Sequence, residues 1–183
     1  MSKVITFSTK FPSYHPKKGE PTFFVEKMIN WYWNQPENKY HSVADMFFDF
    51  NGDKWAYGQI EEWISENINP DIKDFKGHTI RSGHSRKVGD KFSPRIWTGR
   101  PYFTPQLIIL PDLEIKKLYN FELREGVFTI NKRDFDGEVE SHYEKLEALA
   151  SNDGLSTQDL LDWFKYPKPF SGQIICWNEK INY

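Results

Sequence analysis

"FKGHTIRSGHSRKVGD", residues 75–90, is the stretch on which the reading of the fold turns. Six basic or histidine side chains fall within the twelve positions from Lys76 to Lys87. Inside it, "HTIR" has the β-branched, alternating character of a short strand, and "VGD" closes it as a turn. Two readings of the cations stand side by side. They belong to a solvated basic loop, or they surround something electron-rich.

Beyond this stretch the pattern is strand-like. "KFSPRIW", "PQLIIL", "LEIKKLYNFEL" and "VFTINK" follow, punctuated by "TGRP", "LPD" and "REG". Pro94 inside "KFSPRIW" predicts an edge strand or a bulge, because proline cannot donate to a ladder. Upstream, "KVITFS" (3–8) opens the chain as a strand. "PTFFVEKMINWYW" (21–33) has apolar residues at helical spacing behind Pro21 and Thr22. A second helix covers part of 56–68, with Ile60, Trp63, Ile64 and Ile68 on one face. Residues 138–150 read as helical, and Gly154 suits a left-handed exit. A last helix follows from Ser156, with Asp159 at the capping-box position and Leu155 and Leu160 as a hydrophobic staple. "GQIICW" (172–177) closes as a strand. The expected architecture is α+β: strands 3–8, 78–81, 90–97, 106–123, 127–132 and 172–178 in one curved or closed sheet, a small mixed β-barrel, flanked by the late helices. A single domain is expected.

Composition narrows the function classes. The 183 residues carry 24 Lys and Arg against 26 Asp and Glu, a net charge of −2. That excludes a surface coated in positive charge for unspecific duplex binding, though not a local basic groove. Cys176 is the one cysteine, so no internal disulfide forms. No apolar leader or long apolar run occurs, so the expectation is a soluble, cytoplasmic protein with no membrane partner. Aromatic residues make up 17% of the chain. Most must be core, and any left at the surface suit stacking on a flat ligand.

The histidines, 15, 41, 78, 84 and 142, have neither helical pair spacing nor a cysteine partner, so no metal is expected, and no cofactor. Gly-rich phosphate loops and GxSxG elbows are absent. Lys76 and Thr79 lie three apart at a strand entry. Extended backbone puts them on opposite faces, and only a turn at Gly77 brings them together. In that case Lys76 acts as base to a Thr79 nucleophile, with a carboxylate in support. Otherwise Thr79 is a strand former and Lys76 a solvated cation. His78, Arg81, Arg86 and Arg95 suit phosphate or base contacts. Trp97, Tyr102 and Trp177 offer rings for stacking.

Taken in order, "VITFSTKF", "K-x-HTIR", "KVGD", "DGLSTQDLLDWF" and "FSGQIICW" resemble the ASCH domain, a PUA-like β-barrel. The chain is also similar to a longer, uncharacterised phage and bacterial subgroup with a "HPKKGEPTFFVEKM"-like segment. The likeness covers residues 3–11 and 75–178, which makes 12–74 a helical insertion in a single ASCH/PUA-like domain. The resemblance implies a groove that binds a nucleobase, nucleoside or RNA. Compact members are acetylcytidine amidohydrolases with a "K-x-x-T-I-R" motif and a Glu before the late helix. This implies a catalytic set of Lys76, Thr79 and Asp153, with Asp in place of Glu. A third expectation is a protein-interaction module of phage or mobile-element origin.

Overall fold

The computed structural model describes residues 3–124, 127–131, 133–134, 139–166 and 168–183; for 133–134 and 139–143 it describes the backbone alone. Among these the elements run β1 (Lys3–Thr6), α1 (Phe24–Trp33), α2 (Val43–Asn51), α3 (Tyr57–Asn67), β2 (His78–Ser82), β3 (Lys91–Trp97), β4 (Gln106–Ile108) and β5 (Leu113–Glu114). Then come β6 (Lys117–Arg124), β7 (Val127–Ile130), β8 (Arg133–Asp134), α4 (Val139–Asn152), α5 (Thr157–Trp163) and β9 (Phe170–Cys176). The class is α+β, as expected. Among the described residues the expected single curved or closed sheet is not what forms. The described strands divide between two sheets, one containing β1-β3-β4 and one of order β2-β9-β6-β7-β8. The chain turns after β2. Gly89 takes φ +85 there, and β3 then pairs in parallel with β1 and not with β2.

The chain divides into two compact units, residues 1–10, 21–75 and 91–113, and residues 11–20, 76–90 and 114–183. Residues 21–75 share theirs with β1, β3 and β4.

In the first unit, β3 is central, with β1 parallel on one side and β4 antiparallel on the other. Pro94 therefore sits in an interior strand, contrary to the edge expected of it. It is tolerated because the β3–β4 ladder ends at Arg95↔Ile108, so the missing donor falls just past the ladder. Ile5, Phe92, Ile96 and Leu107 point to the core. The backbone of edge strand β4 is covered by a side chain. Asn51, buried at the end of α2, donates to the Ile108 carbonyl and accepts from its N–H, both at 2.9 Å. This occupies groups an open edge would offer to another chain. Helix α2 is started by Ser42, whose hydroxyl accepts from the Asp45 N–H at 3.0 Å.

In the second unit, the five-stranded sheet is antiparallel throughout. Phe121, at its centre, packs rings with Phe128, Phe164 and Phe170 at centroid distances of 5.6–5.9 Å. Many of the rings are thus core, as the composition requires. Gly154 takes φ +76 at the exit of α4, and Ser156 caps α5 by accepting from the Asp159 N–H at 3.1 Å. Residues 11–20 are clipped to α5. Lys17 Nζ donates to the Asp159 carboxylate at 2.8 Å, and the buried His15 ring stacks on Phe11 and bonds the Asp159 carbonyl at 3.2 Å. Both ring nitrogens of His15 are thereby bonded, since its Nδ1 accepts from the Lys17 N–H.

Candidate functional site

The site is built where β2 begins, all of it in the second unit. Helix α4 ends at Asn152, and its last carbonyls need donors. The Gly77 N–H donates to the Asn152 carbonyl at 3.0 Å. Lys76 Nζ donates to the Asp153 backbone carbonyl and, at 2.6 Å, to Asp153 Oδ1. An ammonium at a helix C-terminus also meets the negative end of the helix dipole. Lys76 is 1% exposed and Asp153 6%, so this is a buried ion pair that also caps a helix.

His78 lies beside it, fully buried, with Nε2 3.6 Å from Asp153 Oδ1. Its other nitrogen, Nδ1, is 2.7 Å from the Tyr183 hydroxyl, and Asn152 Nδ2 donates to that same hydroxyl at 3.1 Å. With Asn152 donating, the phenol gives its own proton to Nδ1. The remaining imidazole proton then sits on Nε2, facing the carboxylate. Residues 177–183 hold this in place. Lys117 Nζ donates to the Ile181 carbonyl at 2.9 Å and to Asn182 Oδ1 at 2.7 Å. Gly77 is needed for the close approach, since a Cβ there would lie 2.9 Å from Ile181 Cδ1.

Burial, and secondarily the Lys76 charge, hold the His78 imidazole well below its ordinary value of 6.5. It is neutral in the folded protein and titrates normally when unfolded. The unfolded chain therefore binds the extra proton first, so stability is full above pH 6.5 and falls as pH drops below it. Unfolding titrations between pH 7 and 5 should show a slope of about one proton from this residue. That slope should vanish in His78→Gln. A wild-type slope that persists unchanged in the variant would remove the assignment. Burial also raises the Tyr183 phenol and pushes the Cys176 thiol up to about 12, so Cys176 is no nucleophile.

The register decides which expected residues meet. In the pairing of β2 with β9, His78 is opposite Cys176 and Ile80 opposite Ile174, while Thr79 is opposite Ile175 and Arg81 opposite Gln173. Successive side chains alternate. His78 therefore stands on one face, with Thr79 and Arg81 on the other. Lys76 and Asp153 come together as the resemblance implies. The Thr79 hydroxyl takes no part in their hydrogen bonds, and Thr79 is 4% exposed. Lys76 precedes the strand, which begins at His78, so the alternation of β2 fixes the face of Thr79 and not that of Lys76.

On the Arg81 face, Gln173 links two arginine segments. Its Oε1 accepts from the Arg86 N–H at 3.2 Å, and its Nε2 donates to the Arg86 carbonyl at 3.4 Å. Both guanidinium-bearing residues are half-buried. Burial pulls the Arg81 guanidinium down from its ordinary value, the Asp153 carboxylate opposes this, and the Arg86 charge adds to it. Trp177, expected at the ligand, is instead buried. Arg95, Trp97 and Tyr102 belong to the first unit. Tyr183, Asn152 and Gln173 were not expected. No local signal marks them, because each joins the site across a long stretch of chain. Among the described residues no group of three metal-ligating side chains occurs, and no helix is long and apolar enough to cross a membrane. Compared with known proteins, the chain matches no family model, no curated protein and no solved structure.

Proposed function

We propose that the second unit binds a nucleobase, nucleoside or RNA segment at the Arg81 face of strand β2, in a PUA-like arrangement. The observation that carries this is the surplus of cations. Lys76 Nζ lies 2.6 Å from Asp153 Oδ1, the Arg81 guanidinium also interacts with that one carboxylate, and the Arg86 charge lies close enough to act on Arg81, so three cations gather around a single acid. Arg81 on β2 and Arg86 in the loop that follows, its backbone held by Gln173, are the residue types that meet a phosphate or an electron-rich ring. A phosphate is bound bidentately by such a fork, and a base is stacked by its plane.

The geometry supports binding better than hydrolysis. A Thr79 nucleophile needs a base at its hydroxyl, and Lys76 Nζ is engaged by Asp153 and the end of α4. Calorimetric titration with cytidine, acetylcytidine and a short single-stranded RNA tests the proposal. Binding is expected, and Arg81→Ala should weaken it about tenfold or more, the worth of one lost charge-assisted contact. Absence of heat with every ligand up to about millimolar, the weak end of specific binding, would contradict it and favour the interaction-module reading. Acetate release from acetylcytidine that Thr79→Ala abolishes would replace binding by hydrolysis.

A further inference from the structure

The first unit carries an exposed aromatic feature that the site above does not use. Along β3, Phe92 and Ile96 are buried and share a face with Leu107 of β4. Arg95 and Trp97 stand on the opposite face and are half-exposed. Arg95 is fixed there, with Nε donating to Ser93 Oγ at 3.1 Å and Nη1 to Gln106 Oε1 at 3.5 Å. The hairpin that follows is closed by its own bonds. Thr98 Oγ1 donates to the Pro105 carbonyl at 3.0 Å and Thr104 Oγ1 to the Arg100 carbonyl at 3.1 Å.

This tip holds two rings in water. Tyr102 is 87% exposed and Phe103 74%. Tyr102 adopts φ +67, a left-handed conformation that is costly for a bulky residue. Its ring lies 5.2 Å from that of Trp97, and the Arg100 guanidinium sits 4.2 Å over the Phe103 ring. No acidic residue occurs between Asp90 and Asp112, whereas Lys91, Arg95 and Arg100 do. In a chain of net charge −2 this is a locally cationic segment. A merely solvated turn gives no reason for backbone strain that displays apolar rings. A protein-docking tip gives no reason for the exclusion of acids.

We propose that the β3–β4 hairpin is a stacking platform for the unpaired nucleotides of single-stranded nucleic acid. Tyr102, Phe103 and Trp97 meet bases, while Arg95 and Arg100 meet phosphates. Stacking is indifferent to base identity because every base has a π face, so the platform reads single-strandedness and not sequence. The proposal rests on the first unit alone and stands whether or not the arginines of β2 take a nucleoside.

The test is fluorescence anisotropy of labelled oligouridylate and oligothymidylate strands with the full chain at low salt. Both strands should bind. The Tyr102→Ala, Phe103→Ala double variant, whose rings are exposed, should weaken binding at least about tenfold. Arg100→Ala should lower the slope of log affinity against log salt by about one phosphate contact. The loss in the double variant should be equal in an Arg81→Ala background, which separates this surface from the β2 site. Equal binding by wild type and double variant would overturn the proposal. So would absence of strand binding by the wild type. Self-association that the double variant abolishes, with strand binding unaltered, would assign the rings to a second copy of the chain and likewise overturn it.

Discussion

Lys76→Ala should cost the second unit about 3–5 kcal/mol, the largest loss expected of any single side-chain removal in this protein. The side chain is 1% exposed and donates both to the Asp153 carboxylate and to the carbonyl that follows α4. Its removal leaves the buried carboxylate beside a neutral His78 without its 2.6 Å ammonium partner, and takes the Lys76 donor from the Asp153 carbonyl. A lost cation in such a place harms more than a lost apolar group of equal size, because the desolvated partner stays behind. The expectation separates a buried pair from a solvated lysine, whose removal changes stability by no more than about 0.5 kcal/mol. Denaturant unfolding measures it. The paired change Lys76→Met with Asp153→Leu should recover part of the loss, since it removes the buried carboxylate together with its lysine, while Arg81 loses the attraction of Asp153. A single variant as stable as wild type would show that the pair does not form.

Gly172→Ala should be comparably damaging, by about 3 kcal/mol, for a steric reason. Gly172 lies in β9 opposite Ser82 of β2 and Phe121 of β6. A Cβ there would overlap the Arg81 carbonyl group and come within 3.0 Å of the Phe170 ring. The obstruction is backbone, so it yields only by opening the β2–β9 ladder that carries Arg81 and His78. Gly58→Ala is the control: a Cβ there meets nothing within 4 Å, and it lies in helix α3, where alanine is favoured. Stability should be unchanged or raised in the control and should collapse in Gly172→Ala. An equal response of the two would mean that β2 does not lie against β9 as described.

Some of this was legible in the sequence because the signals are local. Gly154 at the exit of α4, the Ser156 cap with Asp159, and the alternation in "HTIR" each involve residues a few positions apart. Helix α2 was not expected, although Ser42 and Asp45 carry its capping signature. Its cluster of Phe47, Phe48 and Phe50 obscures a helical period in only nine residues. Alternation fixed the face on which each β2 residue stands, but not the strand beside it. The choice of β1 as parallel partner for β3 is a tertiary outcome, which is why one closed sheet was expected and two were found. The same holds for the site. Lys76 meets Asp153 across 77 positions, Arg86 meets Gln173 across 87, and Tyr183 meets His78 across 105. Only the first of these contacts was reachable, through the ordered motifs of the ASCH resemblance.

The most direct measurement is a nuclear magnetic resonance titration of the isotope-labelled full chain with cytidine and with a short single-stranded RNA. The nucleoside should shift the amide signals of residues 79–86 and of Gln173, with little change at Tyr102 and Phe103. The strand should shift both sets. A nucleoside that perturbs none of residues 79–86, or perturbs only residues remote from β2 and β9, would contradict the assignment of the Arg81 face as the ligand site.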